Sequence, residues 1–408
     1  MSETQARRAL RTTAAACGLA LALAAPASAA AEEVALQSPD GSIDIKGTLI
    51  ETTAEYYLIS SVFGPLRVRT ETVDCIGFAC PDLEALAPES AAALRVEWDV
   101  SLWGKRRAFT EHVERIAELV SAKTDGAFTL NLSYGGLSDS RENLDGIAAG
   151  AFEMAQFCAG YHREKNPAIT VLELPFLGVT SLEQEVELSL AVYEHPATQA
   201  DMARWNATLL MPSPLPQYNI IGAGAPPTSL DDFQGMSIRA TGGIGEAVKA
   251  LGAELVAMPA SEVKDAMETD VIDAVSFAPH AHMSFDTLDK GSWFTTNLNP
   301  GTVNCPVVVN TDALYGLPVA HRNALLSSVD EAMEHYIDHY NGATMAAWQP
   351  ALDERLIIQL KFDERILDDI KDRVAAPAAQ DWVRRNAADG LPAQEIYDMV
   401  MLLLDDAA

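Results

Sequence analysis

The chain has 408 residues, 58 of them acidic and 28 basic, for a formal charge of −30 at neutral pH. That length predicts two or three domains, and 49% apolar against 21% charged residues is the balance of a folded globular protein. The acidity excludes general nucleic-acid binding and adhesion to anionic lipid, both of which need a basic face. It also means that an anionic ligand has to be held by local positive charge against a negative global field.

Arg7, Arg8 and Arg11 precede an apolar run from Thr12 to Ala25, followed by Pro26, Ala27, Ser28 and Ala29. A basic start, a short apolar centre and an A-x-A-like site predict a signal peptide over 1–29, cleaved near Ala29–Ala30. The run is shorter than the 20 or so apolar residues that a spanning helix needs, and so is Met399–Leu404. Arg7-Arg8 leaves ordinary and twin-arginine export both open, while Cys17 lies inside the apolar centre, where a lipoprotein anchor does not. The mature chain is expected to be soluble in a periplasm.

Residues 30–90 read as a small β-module. Ile43 and Ile45 alternate with Asp44 and Lys46, Leu66 and Val68 alternate with Arg67 and Arg69, and Pro39-Asp40-Gly41 and Gly64-Pro65 mark turns. Cys75 and Cys80 flank a glycine-containing loop and are expected to pair in an oxidising compartment. Their spacing without two further close ligands is no zinc site. Residues 82–94 read as a linker or short helix.

From Leu94 the pattern changes to strands alternating with helices. Leu94–Leu102 reads as a strand. Phe109, Val113, Ile116 and Val120 fall on one helical face, and Phe128, Leu130, Leu132 and Tyr134 alternate with polar residues as in a strand. A helix over 141–149 and a buried strand over 152–158 complete a β-α-β-α-β run, which implies a parallel sheet covered by helices. A second such unit follows, with strands at 206–222, 236–239, 255–258, 271–277 and 307–310. Beyond Pro318 the chain reads as helical, including 345–375. Cys158 and Cys305 either form a second bridge or remain buried thiols. Two α/β lobes in one exported chain suggest a clamshell, with lobe 1 at about 91–212 plus 306–408 and lobe 2 at about 213–305. A ligand cleft belongs between such lobes, at the carboxyl ends of the strands.

Several ordered motifs carry a resemblance. Gly235-Met236-Ser237-Ile238-Arg239, the turn at Gly242-Gly243, Leu251 to Pro259, Glu262-Val263 and Val271-Ile272-Asp273-Ala274 resemble the second lobe of substrate-binding proteins of tripartite ATP-independent periplasmic (TRAP) transporters. Leu137 to Gly150 and Glu173 to Leu177 resemble the first lobe. The likeness covers about residues 95–345 and leaves the β-module outside. It implies a type II-like periplasmic-binding-protein clamshell that captures a small organic acid and delivers it to membrane permease subunits. It also implies that Arg239 pairs with the ligand carboxylate, a role for which a planar two-donor guanidinium is suited. The alternative is that Arg239 pairs with an acid of its own lobe. Some relatives carry a second arginine about 20 residues earlier, where this chain has Asn219. That departure favours a monocarboxylate. No carboxylate lies between Asp273 and Asp286, so a metal-assisted site is not expected.

Strand-end positions nominate further cleft residues: Trp103 and Tyr161 in the first lobe, and Ser276, Phe277, His280 and Asn304 in or beside the second. Each of the aromatic residues has core packing as its alternative. Gly242-Gly243-Ile244-Gly245 lacks the lysine of a phosphate loop and reads as a turn that lets the lobes approach. His335 and His339, one helical turn apart with His321 upstream, read as a solvated face and not as a metal site. No Gly-x-Ser-x-Gly element or cysteine–histidine pair supports an enzyme. No cofactor is expected, and the oligomeric expectation is a monomer or weak homodimer through the helical C-terminus. A ligand sensor or envelope-interaction protein on the same clamshell is the alternative function.

Overall fold

The computed structural model describes residues 33–38, 43–53, 56–61, 64–77, 80–81 and 94–406. The signal-peptide segment, the Pro39-Asp40-Gly41 turn and the linker over 82–93 lie outside the described residues. The chain divides into two compact units, residues 1–88 and 89–408.

The first unit holds strands β1 (Glu33–Gln37), β2 (Asp44–Thr52), β3 (Tyr56–Ser61), β4 (Gly64–Arg69) and β5 (Asp74–Ile76). They form one antiparallel sheet in the order β4-β3-β2-β1-β5. Gly64 and Pro65, expected to mark a turn, open β4 and pair with Ser61 and Ser60. Val34, Leu36, Tyr57, Ile59, Val68 and Val73 make a core too small to be self-sufficient. The expected Cys75–Cys80 disulfide is present and closes its edge.

In the second unit the strands are β6 (Val96–Leu102), β7 (Phe128–Tyr134), β8 (Met154–Gln156), β9 (Ala207–Met211), β10 (Asn219–Gly222), β11 (Ser237–Arg239), β12 (Glu254–Val256), β13 (Ala274–Phe277), β14 (Trp293–Thr295), β15 (Val307–Asn310) and β16 (Ile358–Leu360). They build two sheets, β7-β6-β8-β15-β9 and β12-β11-β13-β10-β14-β16. Each sheet has a run of three parallel strands at one end, β7-β6-β8 and β12-β11-β13, and then an antiparallel step, because β15 runs against β8 and β10 runs against β13. The helix Glu111–Lys123 lies on the first sheet with Val113, Ile116 and Val120 buried. Its first-turn acids Glu111 and Glu114 and its last-turn Lys123 complement the helix dipole.

The lobe boundary differs from the sequence reading. The C-terminal third does not all return to the first lobe: β16 pairs with β14 in the second sheet, and Trp348, Leu352 and Ile357 pack with Ile221, Leu288 and Phe294. What read as one helical stripe over 345–375 is a helix Met345–Glu354, then β16, then a long helix Glu364–Ala388. The break falls at Leu356, whose φ of 54° no helix accommodates, and Asp363 caps the new helix by accepting from the Arg365 N–H. Among the described residues, no helix is long and apolar enough to cross a membrane.

Candidate functional site

A cavity lies where the two lobes meet. Arg239, the last residue of β11, reaches it from the second lobe. Its strand is held on both sides by parallel neighbours, β12 and β13, so the guanidinium projects from a rigid strand end and is only 2% exposed. Nε and Nη2 each donate to the Met258 carbonyl at 3.1 Å, and Nη2 also donates to the Tyr161 hydroxyl at 3.0 Å. The guanidinium carbon stands 4.6 Å from the centre of the Phe277 ring. Its partners are thus a carbonyl, a hydroxyl and a ring face, not an acid of its own lobe.

Five residues nominated from the sequence are brought together here: Arg239, Phe277, Trp103, Tyr161 and His280 all line the cavity. Tyr161 joins the lobes, because its hydroxyl accepts from both Arg239 and the Ala260 N–H. The Trp103 ring meets Tyr161 edge-on at 5.8 Å, and its buried indole N–H has no partner within the protein. His280 stacks on Phe109, and its Nδ1 lies 2.8 Å from the Tyr340 hydroxyl. Burial holds it well below the usual histidine range, so it is neutral at physiological pH.

Asn219, Ser276 and Asn304 are not among the lining residues. The Asn219 side chain ties down the segment after β14, accepting from Thr295 Oγ1, Leu298 N and Asn299 N. Ser276 sits inside β13, fully buried, with its hydroxyl unpartnered. The Asn304 side chain faces the helix Leu182–Glu194, accepting from Tyr193 Oη at 2.6 Å and donating to Ser189 Oγ at 2.8 Å. Strand parity separates Ser276 from its neighbour Phe277, whereas Asn219 and Asn304 are drawn away by the hydrogen bonds just described. Cys158 and Cys305 are joined in a disulfide, and both line the cavity.

Two residues that the sequence reading passed over complete the site. Arg107 is 6% exposed and borders the cavity from the first lobe. Burial lowers it from the ordinary guanidinium range to about 10, which leaves it charged at neutral pH. It belongs to Lys105-Arg106-Arg107, whose first two members are exposed and pair with Asp286 and Glu114. Nothing in the run itself separates the buried member from the solvated ones. Glu173 is fully buried; Oε1 accepts from Gly160 N at 3.0 Å and Asn304 N at 3.2 Å, while Oε2 has no partner. Burial pushes its carboxyl up to about 7, against the opposing pull of Arg163 and those two N–H groups.

The Glu173 carboxyl holds its proton more tightly in the folded chain than in the unfolded one. The stability it lends is therefore complete below about pH 4.5 and lost as the pH rises through about 7. Buried Glu185 contributes with the same sign. Urea unfolding of Glu173→Gln against the unsubstituted protein isolates the first term. The difference between the two is expected to change by roughly 3 kcal/mol from pH 4.5 to 7.5, and parallel profiles would refute the assignment.

The turn before the helix Ile244–Ala250 closes on the same residue. Gly243 N donates to the Glu173 carbonyl at 3.0 Å, and a Cβ on Gly243 would stand 2.0 Å from that oxygen. Backbone atoms on both sides leave no room to yield. Gly243→Ala is expected to hold the lobes apart, raising the radius of gyration in X-ray scattering and weakening ligand binding at least tenfold. An unchanged scattering profile would show that the contact does not govern closure.

Outside the cavity, His335 and His339 are joined by Glu111 from the facing helix, their ligand atoms all within 4.8 Å of one another. The group is partly solvent-exposed and makes no contact with the site.

The model of the DctP family, bacterial extracellular solute-binding protein family 7, matches residues 100–376. The chain belongs to this family. The TRAP receptors that the sequence resembles are its solved structural neighbours. A TRAP solute-binding protein from a marine metagenome, crystallised with 3-hydroxybenzoate, superposes with a TM-score of 0.69 at 19% identity, covering 77% of this chain and 99% of that one. The C4-dicarboxylate-binding periplasmic protein DctP of Rhodobacter capsulatus is 30% identical over 137 residues, 33% of this chain and 40% of its own length. The ectoine-binding periplasmic protein TeaA of Halomonas elongata is 24% identical over 242 residues, 57% of this chain and 69% of its own. These relatives are transport solute-binding proteins and not enzymes. The residue 33–76 sheet lies outside the family match.

Proposed function

We propose that this chain is an exported receptor that captures a small organic acid in the inter-lobe cavity, through its carboxylate on Arg239, and hands it to the membrane subunits of a TRAP-type permease. The observation that carries this reading is Arg239 itself. It is a buried guanidinium at a rigid strand end, over an aromatic face, with no acidic side chain paired to it among the described residues. Phe277, Trp103, Tyr161 and His280 provide the walls, and the unpartnered Trp103 indole N–H provides a further donor. The relatives are named for small organic ligands, 3-hydroxybenzoate, C4-dicarboxylates and ectoine.

The signal-like N-terminal sequence supports a mature protein in the periplasm, acting without a cofactor and without turning its ligand over. The monocarboxylate expectation rested on Asn219 standing where a second arginine would be. The cavity's own second arginine, Arg107, removes that ground. Native mass spectrometry of freshly purified protein should find an organic acid carried through purification, and calorimetry should return a 1:1 complex with it. Cells lacking the protein should lose uptake of that acid. Conversion of the acid by the purified protein, or uptake unaffected by its loss, would overturn the proposal.

A further inference from the structure

Arg107 is the feature of the cavity that the carboxylate on Arg239 does not explain. Its Nη1 donates to two backbone carbonyls, Trp103 O at 3.0 Å and Lys105 O at 2.6 Å, which fix its orientation. Nε and Nη2, the two donors on the other edge of the guanidinium, are buried and have no partner within the protein. That edge is the planar two-donor fork that fits a carboxylate. Arg239 differs, since its own Nε and Nη2 are committed to Met258 and Tyr161.

Rings surround the Arg107 guanidinium: Trp103 at 4.4 Å, Phe109 at 5.1 Å and Phe285 at 5.5 Å. Ring faces soften the loss of water around a cation, but they do not replace a counter-charge. No acidic side chain is paired with it among the described residues, and Glu173 is the sole carboxyl lining the cavity. Phe285 lies 5.8 Å from Phe277, the ring under Arg239. The two guanidiniums therefore stand over neighbouring rings, one supplied by each lobe.

We propose that Arg107 is a second anion anchor, contributed by the first lobe, and that the ligand carries a carboxylate at each end, one on Arg239 and one on the Arg107 fork, so that it bridges the lobes. This rests on the organic-acid reading above and specifies the ligand's charge. It also explains how a site with Asn219 in place of the second-lobe arginine keeps two cations. The burial of Glu173 supports it by favouring the neutral carboxyl, in which form two guanidiniums meet two carboxylates in balance.

The test is calorimetry at fixed salt with matched probes that differ by one carboxylate: butyrate and succinate, benzoate and isophthalate, phenylacetate and 3-carboxyphenylacetate. In the unsubstituted protein, at least one dicarboxylate should bind about 100-fold more tightly than its partner, as for a buried bidentate charge pair. Arg107→Met fills the ring cage without charge. It should remove that preference, lowering dicarboxylate affinity about 100-fold while leaving monocarboxylate affinity within about threefold. The proposal is overturned if no dicarboxylate binds, if matched partners bind alike, or if Arg107→Met weakens both members equally, as a purely structural role would. Arg239→Met separates the two readings. Binding lost there, with Arg107→Met leaving the ratio unchanged, would overturn the second anchor alone; retained binding of both members would overturn the Arg239 anchor and the bridge with it.

Discussion

Arg239→Met is expected to lower ligand affinity by two to three decades, the roughly 3–5 kcal/mol that follows from leaving one charge of a buried pair without its partner. The sign of the accompanying stability change is what makes the experiment decisive. In the ligand-free protein the Arg239 guanidinium is itself a buried charge without an acid. Replacing it with an apolar side chain of similar length removes a desolvation cost, so ligand-free stability should hold or rise. The lost hydrogen bonds to the Met258 carbonyl work in the other direction, at about 1.5–3 kcal/mol each for a charged donor, and Arg239→Lys, which keeps one charged donor, gauges that share. Calorimetry gives the affinity and urea unfolding the stability. Affinity lost with stability kept marks a ligand anchor. Affinity and stability lost together mark a structural residue, and unchanged affinity removes Arg239 from the site.

What the sequence made legible depended on the physics behind each signal. The strict alternation over Phe128–Tyr134 became β7, and the spaced apolar residues Val113, Ile116 and Val120 became a buried helix face, because one buried side imposes a period. β14 and β16, three residues each, are too short for any period, so the crossing of residues 345–360 to the second sheet was not readable. Strand ends told where the cleft opens, and Trp103, Tyr161 and Phe277 line it. Ser276 alternates with Phe277 and turns inward, while Asn219 is spent on the segment after β14 and Asn304 on the helix Leu182–Glu194. Arg107 was hidden for a different reason. Three consecutive cations look alike in sequence, and only the tight turn at Ala108–Thr110, with Thr110 Oγ1 donating to the Arg107 carbonyl, selects which one is driven inside.

Removing the Cys158–Cys305 disulfide with a Cys158→Ala/Cys305→Ala pair is expected to cost about 5 kcal/mol of unfolding free energy, because it closes a loop of 147 residues and the unfolded chain regains that freedom. Cys75–Cys80, with a separation of 5, restrains the unfolded chain far less, and its loss should cost about 2 kcal/mol of the small sheet's stability. The larger bridge also ties the site together. It joins the segments that follow β8 and precede β15, antiparallel neighbours with Gln156 opposite Val307. Between them Ala159 N donates to the Asn304 carbonyl at 2.8 Å, and Asn304 N in turn donates to Glu173. Cys158 and Cys305 also line the cavity, so loosening that wall should make the double variant bind its acid more weakly as well as unfold more easily. Urea unfolding under oxidising conditions measures the first effect and calorimetry the second. Unfolding unchanged by the substitution would mean that the sheet alone holds these segments, and a loss of stability with full affinity would confine the bridge to the fold.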